Sequence, residues 1–325
     1  MPVMAGAGCG VGCRACRLAG GKYVGMSEAG QCDSSAEHRL VGWAVYHRPA
    51  VVLSLLCALM ATGCTIPLRS TSELRQPARW TKGYTIILPG IEGRSNLNES
   101  IAFGLNKGGV PGAIEIYDWT VGGTFTWILN LRWSEHNRKQ ASRIAGKIIT
   151  YQDTYPGRPV CLIGHSGGGG VAVLTLEALP AEHKIDHAIL LAPALAPDHD
   201  LRRALSRTRS GIWHYYSKYD VGFLQAGTAI FGTVDGRHSR AAGAVGFVKP
   251  WGMDKAGHEL YDRLLHQQEF TPQMAEAGHY GLHTTWARES FVSRWLAPIV
   301  KTAYTQVPEY ASDSGASAAQ PSAPK

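Results

Sequence analysis

Apolar and polar positions along this chain follow two periods that take turns. Short apolar runs lie at 84–88, 113–117, 160–163, 185–192 and 212–216. They are too brief for helices and carry little alternation, so each reads as a strand buried on both faces. Longer stretches of helical period separate them, at 96–105, 134–151, 171–179 and 200–206. In the second of these, Ile144, Ile148 and Tyr151 fall on one face. A last strand is placed at 264–270 and a closing helix at 287–303. Strands alternating with helices predict the α/β class, a mostly parallel, doubly wound sheet with helices on both faces. The Gly-rich stretch 223–251 fits neither period and reads as a lid or wall over the mouth of the site, or as a surface excursion.

The flanks read differently. Residues 1–40 are Gly-rich and aperiodic, and a positive flank, His47-Arg48-Pro49, then precedes an apolar core at 50–61. That core is too short to span a bilayer comfortably but suits a signal peptide. It runs into Ala61-Thr62-Gly63-Cys64, which resembles a bacterial lipoprotein signal. The resemblance implies lipidation of Cys64 and anchoring to a membrane of the cell envelope. Ala61 stands where leucine is commonest, and the distance from Met1 fits a signal only if translation starts later. Another kind of signal or a buried apolar segment is the alternative, with a secreted or cytoplasmic protein as the outcome. The expected organisation is therefore 1–63 extension and signal, 64–82 polar tether, 83–304 globular domain, and 305–325 a Ser, Ala and Pro-rich disordered tail.

Composition narrows the function. A hydrophobic fraction of 45% allows one sizeable core. Of the net charge of +7, residues 64–325 carry +5 without any dense basic run, which argues against nucleic acid. Five of the seven cysteines precede Cys64, and only Cys161 follows it, inside a predicted strand. Cys161 reads as a small buried apolar residue. The spacing of Cys9, Cys13 and Cys16 lacks a second ligand pair, so no metal is expected. The chain has no G-x-x-x-x-G-K-[ST], no G-x-G-x-x-G and no H-E-x-x-H, so no cofactor is expected either. His183 and His187 share helical spacing, but a strand begins between them, and they read as surface residues.

The stretch 160–170, Val-Cys-Leu-Ile-Gly-His-Ser-Gly-Gly-Gly-Gly, carries the chemistry. A strand ends in G-x-S-x-G and a helix follows. Small residues are needed around a serine on so sharp a turn, and the first N–H groups of the helix favour developing negative charge. With this motif the chain resembles the α/β-hydrolase superfamily over roughly 84–300, and within it an uncharacterised bacterial branch with Pro-Gly-Ile-Glu-Gly and Gly-His-Ser-Gly-Gly. The resemblance implies a triad in the order Ser, Asp or Glu, His.

Ser166 is then the nucleophile. Asp220, just past the strand at 212–216, is the preferred acid, with Asp198 and Asp235 as rivals. The base is His283 or His279: the glycine before His279 favours one, and the distance to Phe291-Val292 in the closing helix favours the other, so His283 is preferred. Oxyanion donors are expected from the backbone of Gly167 and of Ile91, the latter in the loop Pro89-Gly90-Ile91-Glu92, where the superfamily often has His-Gly. Glu92, Asp118 and Trp119 follow strand ends and are expected to line the pocket. His165 should point away from it and serve packing. The implied activity is a serine hydrolase acting on an ester, thioester or related acyl bond of a small molecule or lipid. A non-catalytic binding module on the same scaffold is the alternative.

Overall fold

The computed structural model describes residues 68–122, 130, 133–220, 233–237 and 240–305. The apolar core at 50–61, Cys64, the tail from 306, and positions 221–232 and 238–239 of the Gly-rich excursion lie outside the described residues.

Six parallel strands form one sheet: β1 Tyr84–Leu88, β2 Ala113–Ile116, β3 Val160–His165, β4 His187–Leu191, β5 Ile212–Tyr216 and β6 Leu265–Glu269. Their order is β2-β1-β3-β4-β5-β6. The apolar runs form the middle of the sheet, where β1, β3 and β4 are buried at every position. Helices cover both faces there, so no polar alternation is possible. Ile86, Ile163 and Ile189 are fully buried, each worth about 1.5–3 kcal/mol by transfer from water. Cys161 lies among them, 1% exposed.

The chain steps from β1 outward to β2, then returns to the other side of β1 to form β3. The direction of winding therefore reverses between β1 and β3, where Leu88 pairs with Gly164. Ligands of open α/β sheets bind in the crevice outside the carboxyl ends of the strands at such a reversal. Two of the predicted site segments, the loop after β1 and the turn after β3, leave the sheet there.

Among the described residues, five helices of nine residues or more position these strands. They are α1 Asn96–Lys107, α2 Ser134–Thr154, α3 Gly167–Ala178, α4 Lys255–Leu264 and α5 Ala297–Thr305. A reciprocal cap of Ser95 and Asn98 starts α1, leaving two fewer orphan N–H groups at its first turn. On α2 the predicted face of Ile144, Ile148 and Tyr151 is the buried one. A π-helical stretch, Val292–Leu296, leads into α5.

Three sequence expectations change. Residues 68–82 do not behave as a free tether. Leu74 and Trp80 are buried, and Arg79 donates to the carbonyls of Gly112 and Val110 and to Asn106 Oδ1 at 2.8–3.0 Å, fastening the segment to the start of β2. Helix α4 was not expected; its buried residues are Gly257, Tyr261 and Leu264, and Asp254 caps it through the Gly257 N–H at 2.9 Å. His187 is not on the surface: it is 2% exposed, and its Nε2 lies 2.8 Å from Thr302 Oγ1 on α5. Burial holds its imidazole neutral, pushed down to about 4 first by desolvation and then by the charge of His266. His183 is half-buried, with Nδ1 2.9 Å from Gln152 Oε1.

Candidate active site

Ser166 stands between β3 and α3 with φ +55° and ψ −121°. A non-glycine residue held there costs about 1–3 kcal/mol, so its surroundings must over-determine it. Three backbone bonds do so. The Ser166 N–H donates to the Leu191 carbonyl at 2.9 Å, and its own carbonyl accepts from Gly169 at 3.0 Å and Ala194 at 2.9 Å. The elbow is thereby tied to the end of β4 and to the loop after it.

The glycines that follow permit close approach. A Cβ on Gly168 would come within 2.3 Å of the carbonyl oxygens of Leu88 and Pro89. A Cβ on Gly167 would fall 2.7 Å from Ile91 Cγ2 and 3.3 Å from the Trp119 ring. Bare backbone here brings the turn against the loop after β1, so Gly167 and Ile91 are immediate neighbours. Gly167 is the first residue of α3, and its N–H has no acceptor within that helix.

The loop after β1 is braced from outside. Trp119, fully buried, donates its Nε1–H to the Pro89 carbonyl at 2.8 Å. Asn130 Nδ2 donates to the Ile91 carbonyl at 3.0 Å, and Asn137 Nδ2 in turn holds the Asn130 carbonyl at 3.0 Å. His136 Nε2 reaches the Trp119 carbonyl at 2.9 Å. Asn130 and His136 went unnoticed in the sequence, since a polar side chain that braces a distant carbonyl leaves no local pattern. Asp118 is exposed and does not serve as pocket lining: it accepts from the Arg94 N–H and from the Thr120 N–H and hydroxyl, closing its own turn.

Asp220 and His283 meet at the carboxyl end of β5. Asp220 is placed by a turn in which its N–H donates to Ser217, whose own N–H is held by Gly243. His283 Nδ1 lies 2.5 Å from Asp220 Oδ2, and both side chains are buried. A carboxylate can only accept, so Nδ1 carries the proton and the basic lone pair of the neutral ring is on Nε2. Burial alone would push the His283 imidazole down, but the charge of Asp220 and its hydrogen bond outweigh this and, with a smaller contribution from Glu92, leave it raised.

Glu92 folds back over its own loop, with Oε2 2.2 Å from where a Cβ on Gly90 would stand. Ser95 Oγ lies 3.4 Å from Oε1. Burial raises its carboxyl above the usual range, against the pull of nearby N–H groups and of His283.

The other candidates are engaged elsewhere. His279 Nδ1 lies 2.7 Å from Thr285 Oγ1, and its ring is enclosed by Trp286, Phe291 and Phe270 at centroid distances of 3.6, 5.0 and 5.1 Å. Desolvation pushes it down to about 4. Asp198 pairs with Arg237 at 2.6 Å on the surface. Asp235 pairs with His199 at 3.2 Å, and His199 also reaches Glu177 at 2.8 Å. His165 is buried, and its Nε2 lies 3.0 Å from the His283 carbonyl.

A family model described as "Serine aminopeptidase, S33" matches residues 144–230, which take in the elbow and Asp220. The chain has the α/β-hydrolase fold. No curated protein matches it. Among solved structures, the chain is similar to esterase B from Lactobacillus rhamnosis, with 11% identity, 84% of this chain and 97% of that one covered, and a TM-score of 0.41. It is also similar to Est1E from Butyrivibrio proteoclasticus, with 12% identity, 69% and 89% covered, and a TM-score of 0.39. A monoacylglycerol lipase from Paleococcus ferrophilus gives 13% identity, 71% and 96% covered, and a TM-score of 0.37. The parallel sheet with its elbow, together with the match over 144–230, carries the fold alone.

Proposed function

We propose that this protein is a serine hydrolase that cleaves an ester, thioester or related acyl bond through an acyl-enzyme. Ser166 Oγ attacks the carbonyl carbon while His283 Nε2 takes its proton. Asp220 holds the ring in the required tautomer and stabilises the imidazolium that forms. The developing oxyanion is received by the N–H groups of Gly167 and Ile91, and each such donor is worth about 3–4 kcal/mol of barrier. His283 then protonates the leaving group. Water, deprotonated by the same histidine, releases the acyl group and restores Ser166. The observation that supports this reading most strongly is the Asp220–His283 pair at 2.5 Å, at the same sheet end as the strained serine.

The substrate we propose is uncharged near its acyl group. Tyr219 and Leu282, which immediately precede Asp220 and His283, and Tyr280, three positions before His283, are more than half exposed. An apolar acyl chain of a small ester or lipid would cover them. We further propose that lipidation of Cys64 keeps the enzyme on a membrane of the cell envelope. Mass spectrometry of membrane-fraction protein should find an acylated Cys64, and an unmodified Cys64 there would end that idea.

The reading is tested by labelling with a fluorophosphonate probe and by turnover of short p-nitrophenyl esters. Label should map to the peptide bearing Ser166 and vanish in Ser166→Ala, and turnover should fall by about 10⁴-fold or more in that variant. Unchanged turnover in a folded Ser166→Ala protein overturns the assignment.

A further inference from the structure

We propose that His165 is a positioning residue that fixes the backbone of the base to the strand of the nucleophile. The inference rests on the reading of His283 as the base. His165 closes β3, immediately before Ser166, and its ring crosses to a residue 118 positions further on. Its Nε2 lies 3.0 Å from the carbonyl oxygen of His283. A carbonyl can only accept, so His165 carries its proton on Nε2 and donates it there. The same ring lies against the His283 ring, centroid to centroid 4.9 Å, at an interplanar angle of 41°. One side chain therefore holds the base by its main chain and by one face, while Asp220 holds it at Nδ1.

The rest of that turn shows why such a hold is needed. In the turn at 279–285 the His279 N–H donates to the Met274 carbonyl at 3.2 Å and the Thr285 N–H to the Leu282 carbonyl at 3.0 Å, and the Thr285 side chain adds further bonds. The Thr285 hydroxyl donates to the Leu282 carbonyl at 2.8 Å. With its proton spent, Thr285 Oγ1 accepts from His279 Nδ1 at 2.7 Å and from the Tyr280 N–H at 3.3 Å. This network sets the shape of the turn. The His165 bond sets where that shape sits relative to Ser166, because His165 and Ser166 are adjacent in one rigid strand end.

The charge state suits the role. Burial, and then the charge on His283, press the His165 imidazole down to about 3. It therefore stays a neutral donor when His283 becomes an imidazolium and puts no positive charge beside it. The charge of Asp220 and, to a smaller extent, that of Glu92 also act on His283.

The test compares His165→Gln with His165→Asn and His165→Phe in the full chain. A glutamine amide reaches about as far as Nε2, an asparagine amide does not, and phenylalanine keeps the ring without a donor. Rates are referred to sites titrated with the fluorophosphonate probe, so misfolded protein is not counted. His165→Gln should keep kcat within about threefold of the wild type, whereas the other two should lose about 10–100-fold in kcat at unchanged KM, the scale expected of a displacement near 1 Å. In those two the acid limb of the kcat/KM profile should move to lower pH, because a drifting His283 loses part of its contact with Asp220. Equal kcat per titrated site in all three variants, or an unmoved acid limb in the two lacking the donor, overturns the inference. Ser166→Ala and His283→Ala are run alongside. If those two remain active, the reading of the whole site falls; if they are dead while the three His165 variants match the wild type, only the role of His165 falls.

Discussion

The elbow around Ser166 and the turn around His283 face each other across the site but are held by different means. The elbow is strapped by main-chain bonds to Leu191, Gly169 and Ala194, and its neighbours approach because glycine offers them no side chain. The turn of the base is held by side chains: Asp220 on Nδ1, His165 on the carbonyl, and Thr285 with His279 within the turn. Main-chain straps survive most substitutions and fail only when bulk is added. Side-chain straps fail one at a time, each when its own polar group is removed. The nucleophile should therefore tolerate polar substitution around it but not volume, and the base the reverse. The two histidines of the turn show how far side chains decide chemistry. His283 has a carboxylate partner and is raised, whereas His279, four residues earlier, has a hydroxyl and three aromatic rings and is lowered to about 4.

The largest effect should come from the base side. Asp220→Asn keeps the shape but leaves His283 without the partner that selects its tautomer. We expect kcat to fall by about 10³–10⁴-fold, with urea midpoints close to the wild type. A loss of less than tenfold would place the acid elsewhere. On the elbow side, Gly168→Ala puts a methyl group 2.3 Å from two carbonyl oxygens. Overpacking of that kind costs about 1–3 kcal/mol or more. Chemical denaturation should show it as a lowered midpoint, and an unchanged midpoint would mean that the loop after β1 yields freely.

The smallest effect lies away from the site and extends the contrast to stability. His199, between Glu177 and Asp235, is raised to about 9: burial lowers it, but the two carboxylates prevail. Its folded value lies above its unfolded value near 6.5, so the protonated triad stabilises the fold fully below pH 6.5. That contribution is lost as pH rises toward 9, on the order of 2–3 kcal/mol in all. Thermal melts from pH 6 to 9.5 should fall across that window, and Glu177→Gln should flatten the fall. A melt that is flat in the native protein removes the triad from the stability of the fold.

The middle of the sheet was legible because strands buried on both faces must be written as apolar runs, and β1, β3 and β4 are so written. The elbow was legible because its strain demands a particular spacing of small residues. The anchoring of 68–82 was not, since it rests on Leu74, Trp80 and an arginine that bonds main-chain carbonyls, and no period links them. Helix α4 was overlooked although Gly257, Tyr261 and Leu264 keep helical spacing along its buried face, because that face is short and is set among charged residues. His187 was misjudged because a histidine in a strand is silent about which helix will cover it. Asp220 and His283 could be named by chain order, but the choice of His283 over His279 lay in partners 63 and 6 positions away. The bond from His165 spans 118 positions and has no local trace.

The buried thiol of β3 has one more consequence. Cys161 is the only cysteine beyond Cys64, and burial pushes its thiol far above the range in which it reacts. A thiol reagent can reach it only when the central strand opens, because the thiolate is the reactive form and solvent access is its precondition. In protein cut to begin at Thr65, the rate of alkylation would therefore be a clock for the opening of the sheet beneath Ser166. Run in parallel with ester turnover, it would read the lifetime of the scaffold and the speed of the chemistry from the same strand.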